Sequence, residues 1–239
     1  MRAVLCGANG AMGKLIDGIL GDEIVGRVSI DGENNVPKTF AELGKMEADV
    51  VIDFSHHTAV ADVLAYAKAI GAAAVIGTTG HTAEEKAMIT AAAEEIPVFF
   101  SGNMSLGIAV LCRLAKQAAA AFPDADIEIV EAHHTRKVDA PSGTALMLFN
   151  AIREVRPEAV ANCGRSGEGK RTKDEIGIHA LRMGNVVGIH EIHIHTANQS
   201  LTLKHESGSR AMLADGAVEA AKFMVGKSAG FYNMENMLG

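Results

Sequence analysis

"AVLCGANGAMGKLI", residues 3–16, decides the fold. An apolar run, "AVLC" (3–6), stops at Gly7, glycine recurs at Gly10 and Gly13, and "MGKLIDGIL" continues with apolar positions three and four apart. A strand that breaks on glycine and opens directly into an amphipathic helix is the start of a βαβ unit. The GxxGxxG spacing is a variant of the dinucleotide fingerprint, in which glycine lets the backbone turn tightly and lets a pyrophosphate approach the helix N-terminus. A glycine triplet also serves merely to pack a helix close to a strand, so its place between the first strand and the first helix is what points to a nucleotide. The expected cradle is Gly7, Ala8, Asn9, Gly10, Ala11 and Met12.

Outward from that turn the pattern repeats. "EIVGRVSI" (23–30), "DVVIDFS" (49–55), "AAVIGT" (73–78) and "PVFFS" (97–101) read as strands, and the last three each run into a helical stretch. This alternation predicts an α/β domain of Rossmann type, a doubly wound parallel sheet covered on both faces. The acid for the adenosine ribose is expected about 20 residues beyond the glycines. Asp31 in "VSIDGEN" fits best, with Glu33 as the second choice. No arginine follows Asp31 directly to neutralise a 2′-phosphate, so the coenzyme reading, NADH or NADPH, leans toward NADH. Ligands in open parallel sheets bind beyond the carboxyl ends of strands. "IGTTGHT" and "FSGNMSLG" therefore nominate Gly77, Thr78, Thr79, Ser101, Gly102, Asn103 and Met104 for the nicotinamide half.

After Pro123 the pattern changes. A strand "DIEIVEAH" (126–133), a helix "GTALMLFNAIREV" (143–155) and three consecutive strand-like runs, separated by turn residues such as "GN" (184–185) and "NQ" (198–199), predict an α+β domain with an antiparallel or mixed sheet. The predicted division is residues 1–104 with 214–239 for the dinucleotide and residues 105–213 for substrate binding and oligomerisation.

Bulk properties narrow the class. A chain of 239 residues with 48% hydrophobic residues can bury ample core, and three irregularly spaced cysteines suit neither a disulfide framework nor zinc fingers. Nothing resembles a signal peptide or a membrane span, so a cytoplasmic protein without a membrane partner is expected. A net charge of −7 argues against a nucleic-acid surface. The one basic cluster, "GRSGEGKRTK" (164–173), reads either as a loop that meets an anionic small molecule or as a solvated connection.

The densest chemistry is "EAHHTRKVDAPSGTAL", residues 131–146. Pro141 and Ser142 announce a helix, so Gly143 and Thr144 offer backbone donors beside the cations that precede them. Together with Lys137 and histidine they suit a carboxylate, and histidine can pass a proton near neutral pH. An acidic substrate that must be protonated where it reacts fits this segment.

These residues resemble the 4-hydroxy-tetrahydrodipicolinate reductases, also called dihydrodipicolinate reductases. That family carries E-x-H-H-x-x-K-x-D-x-P-S-G-T-A, which residues 131–145 match throughout, and the similarity runs from the glycine turn through "GTTG" and "SGNMSLG" to "ADGAVEAAKF". The resemblance implies His133 as proton donor and Lys137 as the second catalytic group. It implies His134, Gly143 and Thr144 as contacts of a small dicarboxylate substrate. Gly7 to Met12, residues 77–79 and residues 101–104 match its nucleotide-binding segments. Where the family often has an acid-arginine pair after the second strand, this sequence reads "SIDGEN". The resemblance also implies a homotetramer joined through the second sheet, whose second face, in "IGIHALRMGNVVGIHE", reads as apolar enough to need cover.

Two rivals share the first motif: another nicotinamide-dependent dehydrogenase acting on a small amino or keto acid, and a redox-sensing module without catalysis. Neither needs paired histidines ahead of Pro-Ser-Gly-Thr. No metal is expected: His56 and His57 are adjacent, and His193 and His195 share a strand face with no matching cysteine or carboxylate set.

Overall fold

Runs such as "VVI" (50–52) and "AAVI" (73–76) have no polar face, so they are stable only as strands covered on both sides. In the computed structural model, which describes residues 1–239, both are buried at every position. The strands are β1 (Ala3–Cys6), β2 (Ile24–Val28), β3 (Val50–Asp53), β4 (Ala73–Ile76), β5 (Pro97–Phe100), β6 (Asp126–His133), β7 (Val160–Cys163), β8 (Glu175–Arg182), β9 (Ile189–His195), β10 (Ser200–Glu206) and β11 (Gly230–Tyr232). The helices are α1 (Ala11–Leu20), α2 (Phe40–Leu43), α3 (Val60–Ile70), α4 (Ala83–Ala92), α5 (Leu106–Ala121), α6 (Gly143–Arg153), α7 (Ala211–Met224) and α8 (Met234–Met237). The chain divides into two units, Met1–Ser105 with Ala211–Gly239, and Leu106–Arg210.

The first unit is a six-stranded parallel sheet in the order β11-β5-β4-β3-β1-β2. Its helices start and stop on local chemistry. Thr82 and Glu85 form a reciprocal capping box on α4 (3.2 and 2.8 Å), and Gly71, at φ +68°, ends α3. Helix α7 buries a stripe of small residues, among them Ala214, Ala217, Ala220 and Ala221. The closest approach is at Gly216, where a Cβ would stand 1.7 Å from the Met104 carbonyl oxygen. The short strand β11 at the sheet edge was not visible in the sequence pattern.

The second unit is a mixed five-stranded sheet, β10-β9-β6-β8-β7. Only the "NQ" turn closes a hairpin, with the Thr196 amide donating to the Gln199 carbonyl (2.9 Å). The strands flanking "GN" are not neighbours, because β6 lies between them, parallel to β8 and antiparallel to β9. Helices α5 and α6 cover one face, where Ile127, Ile129, Ile176, Ile178, Ile192 and Ile194 meet Ile108, Leu111, Leu148 and Ile152. Strand alternation sends these isoleucines inward, and the open face is apolar only at one end, at Val130, Leu181 and Ile189. It carries Glu128 with His179 (2.8 Å) and Glu191 with His193 (3.2 Å) and Lys204 (3.5 Å).

The basic stretch 164–173 is tied down by the same unit's acids. Arg171 pairs with Asp126 (2.9 Å) and Glu128, Arg165 with Glu175, and Lys173 with Asp124 (3.5 Å). Arg165 and Arg171 are thereby engaged with carboxylates of the sheet.

His190 of β9 lies on the helix side, only 3% exposed. Burial first, then the nearby His133, push its pKa down from 6.5 to about 4. Its folded value lies below its unfolded one, so the unfolded chain takes up this proton first as pH falls. The stability it confers is complete above roughly pH 6.5, declines below that and levels off near the folded value, a total on the order of 3 kcal/mol. Urea unfolding at pH 7 and pH 4.5 should therefore show a smaller acid loss in His190→Gln than in the wild type; equal losses would contradict the assignment. Gly216→Ala should lower stability by about 1–3 kcal/mol, read from the urea midpoint, because backbone must move to admit the methyl.

Candidate functional site

In the first unit the strand order reverses at β1, with β2 on one side and β3 on the other, which opens a crevice beyond their carboxyl ends. The three glycines of the turn have separate jobs. Gly7 has φ +83°, and a Cβ there would lie 2.2 Å from the Phe54 carbonyl oxygen. Gly13 packs α1 onto the turn, since its Cβ would be 2.1 Å from the Gly7 oxygen. Gly10 is the helix N-cap and supplies no side-chain cap, and no acid stands in the first turn. The start of α1, with Gly10 and Ala11 exposed and Met12 half-buried, thus keeps its amide donors and partial positive charge for an anion. Ala8 is buried beneath it.

Asn9 ties this turn to the loop after β2. Its amide donates to Asp31 Oδ1 (2.5 Å) and to the Glu33 carbonyl (3.0 Å). The Asn9 bond, then the Glu33 amide, hold the exposed Asp31 carboxyl below its usual value. The sequence reading missed a cation here: the stem of Lys38 crosses Gly32, with Cε 2.4 Å from where a Cβ would be. These features fit a dinucleotide, with tight backbone approach, an uncapped helix start and an ionised acid at the end of β2.

The other strand ends divide. Thr79 and Gly102 are exposed and Asn103 is half-buried, whereas Thr78, Ser101 and Met104 point inward. Thr78 Oγ1 accepts from the Ser55 amide (2.9 Å), Ser101 Oγ donates to the Asn103 carbonyl (2.7 Å), and Met104 is 2% exposed. Gly77 leaves room for the Phe54 ring, which a Cβ would meet at 2.2 Å. His81, just past this loop, is buried with neither ring nitrogen bonded.

In the second unit β6 changes character along one face. Ile127 and Ile129 point into the helix-covered core, and the next two residues on that face are Glu131, fully buried, and His133, 9% exposed. Glu131 Oε1 accepts from the Ser142 amide (3.0 Å) and Arg182 (2.8 Å); Oε2 meets His133 Nδ1 (2.5 Å) and Arg182 (2.9 Å). Burial by itself would raise the Glu131 carboxyl, but Arg182, His133 and the Ser142 amide together outweigh it and hold the group below its usual value. Arg182 also donates to the Asp139 carbonyl (2.5 Å), and the Asp139 carboxylate pairs with Lys137 (2.8 Å), which holds that carboxyl down.

Ser142 caps α6 by accepting from the Ala145 amide (3.2 Å), after a cis Ala140–Pro141 peptide. A Cβ on Gly143 would meet no atom within 4 Å, so the helix tip is open, with Thr144 half-buried behind it. The His190 ring stands edge-on to His133 (5.1 Å between centroids), and its Nε2 is 3.2 Å from Ser142 Oγ. His134 has Arg210 3.4 Å from its Nε2 and a buried, unbonded Nδ1; burial, then Arg136 and Arg210, lower its pKa. Arg136 itself is exposed and bonds Asn185 (2.9 Å).

The second unit thus brings His133, His134, Lys137, Gly143 and Thr144 to the end of β6 and the tip of α6. Arg182, His190 and Arg210 join them without having been singled out in the sequence. Arg182 stands opposite His133 in the β6–β8 register, a pairing that no local pattern announces. No set of three or more His, Cys, Asp or Glu side chains converges as metal ligands, and no helix is long and apolar enough to cross a membrane. What the cluster can do is grip an anion at a cationic helix tip and move a proton through an imidazole.

Comparison with known proteins supplies the family. "Dihydrodipicolinate reductase, N-terminus" matches residues 1–104 and "Dihydrodipicolinate reductase, C-terminus" matches residues 107–238. A 4-hydroxy-tetrahydrodipicolinate reductase of Caldanaerobacter subterraneus subsp. tengcongensis is 42% identical over 249 residues, covering 100% of this chain and 98% of the relative. That of Clostridium tetani is 40% identical over 247 residues, covering 100% and 97%. The solved dipicolinate-bound dihydrodipicolinate reductase of Paenisporosarcina sp. TG-14 superposes with a TM-score of 0.80 at 26% identity, covering 99% of each chain. With a glycine turn fit for a nucleotide in one unit, an imidazole cluster beside an open helix tip in the other, and matches along nearly its whole length, this chain belongs to the dihydrodipicolinate reductase family.

Proposed function

We propose that this chain reduces the dehydrated form of 4-hydroxy-tetrahydrodipicolinate to tetrahydrodipicolinate, in the diaminopimelate route to lysine. The observation that carries the reading is the meeting, at the end of β6, of His133 bonded to Glu131, the Lys137–Asp139 pair and the open tip of α6. A relative with dipicolinate bound supports a flat ring diacid as the ligand class. A reduced nicotinamide nucleotide, when bound, supplies the hydride. Lys137, with the Gly143 and Thr144 amides, holds a ring carboxylate and offsets the negative charge that builds as the ring is reduced. His133 delivers the proton that quenches it. His134 contacts the diacid alongside. Another dehydrogenase acting on a small amino or keto acid is not favoured, since relatives at 42% and 40% identity carry the reductase name over their whole length.

For the coenzyme we assign Gly7 to Met12 to the pyrophosphate, Asp31 to the adenosine ribose, and residues 77–79 and 101–104 to the nicotinamide half. The ionised Asp31 supports NADH, while Lys38 across Gly32 supplies a cation that NADPH could use. The family resemblance also carries a cytoplasmic homotetramer, for which the open face of the five-stranded sheet, polar at Glu128, His179 and Glu191 and apolar at Val130, Leu181 and Ile189, is the available surface.

His133→Gln should lower kcat by about 10²–10⁴-fold with the circular dichroism spectrum unchanged. Lys137→Met should raise KM for the diacid substrate and lower kcat together; near wild-type turnover in either variant would overturn the assignment. Initial rates with both coenzymes test Asp31: Asp31→Ala should lower kcat/KM for NADH by about 10-fold or more, the worth of a charged hydrogen-bond pair. NADPH should change by less, and an equal loss with both coenzymes would remove Asp31 from the ribose site.

A further inference from the structure

Glu131 has every lone-pair direction committed. Its two oxygens take the Ser142 amide, both terminal nitrogens of Arg182, and His133 Nδ1 at 2.5 Å, the last the shortest of the four. An ionised carboxylate only accepts, and a guanidinium and a backbone amide only donate. The one partner whose role is open is the imidazole, and facing an acceptor its Nδ1 must donate. Arg182 cannot give up its proton and grips the carboxylate through a planar fork, which fixes the plane in which Oε2 meets the ring. His190 stands edge-on to the same ring, and the far edge of His133 faces Gly188, where a Cβ would sit 3.2 Å from Nε2.

We infer that Glu131, locked by Arg182, is a positioning residue that sets the tautomer of His133, keeping the proton on Nδ1 so that Nε2 is the nitrogen that exchanges a proton with substrate. The inference rests on His133 being the proton donor proposed above. A carboxylate that only anchored the start of α6 would need Ser142 and Arg182, but not the short bond to the ring. Ser142 has its own hold on that helix through the Ala145 amide and lies beside His190, so the grip on a diacid does not depend on Glu131 alone.

The test is Glu131→Gln, alone and combined with His133→Gln. Alone it should lower kcat by about 10²-fold or more, as the loss of the tautomer-setting acid does in the serine-protease triad. Calorimetry with 2,6-pyridinedicarboxylate should give a Kd within about 3-fold of the wild type. In the His133→Gln background it should cost nothing further, because two groups that act as one unit are not additive. A kcat loss of the same factor in both backgrounds, or a loss of diacid affinity in step with kcat, would overturn the inference. His133→Gln with near wild-type turnover would sink the proton-donor reading instead. Should Glu131→Gln not fold, 15N-histidine spectra of the wild-type protein decide. A neutral His133 protonated on Nδ1 supports the inference, and one protonated on Nε2 refutes it.

Discussion

A carboxylate with no exposed surface cannot stay ionised inside a protein unless donors surround it, and Glu131 is the place where this chain meets that requirement. Its three partners, which make four hydrogen bonds, come from β6 itself, from β8, and from the residue that caps α6, and Arg182 extends the frame to the Asp139 carbonyl. One buried charge thereby fixes the relative placement of the strand end, the helix tip and the intervening loop. Removing Arg182 would leave the buried carboxylate without its formal counter-charge in a low-dielectric setting, which is why this fork is rigid. Rigidity is what an imidazole needs if it is to meet a reacting atom at one angle.

The first unit achieves its geometry by sterics rather than by charge. Gly7 and Gly13 each stand where a Cβ would fall inside another backbone atom's radius, so strand, turn and helix close to a distance that only glycine allows. The same economy recurs at Gly216 against Met104, and at Gly77 under the Phe54 ring. The nucleotide end is therefore shaped by missing side chains, and the acid end by crowded ones.

Two sequence expectations changed for the same reason. The second face in "IGIHALRMGNVVGIHE" reads as apolar enough to need cover, but alternation leaves it apolar only in part: Ile176 and Ile178 turn into the core while His179 faces outward to Glu128 and Leu181 stays exposed. The basic stretch 164–173 reads as a loop that meets an anion or as a solvated connection, and in the fold its arginines find Asp126, Glu128 and Glu175 within reach. Periodicity and composition say which residues are apolar or charged. They do not say which neighbours arrive from elsewhere in the chain.

The parallel sheet with its glycine turn, the helix that opens at Ser142 and the placement of His133 and Lys137 just ahead of that helix were legible in the sequence alone. Each depends on residues adjacent in the chain, whose spacing local backbone geometry converts directly into direction. The insertion of β6 between β8 and β9, the Arg182 fork on Glu131, the burial of His190, the approach of Arg210 to His134 and the crossing of Lys38 over Gly32 were decided only by the tertiary structure. Strand order and long-range ion pairs depend on which distant segments lower the free energy most by packing together. That choice belongs to the folded chain as a whole and leaves no mark on any short stretch of it.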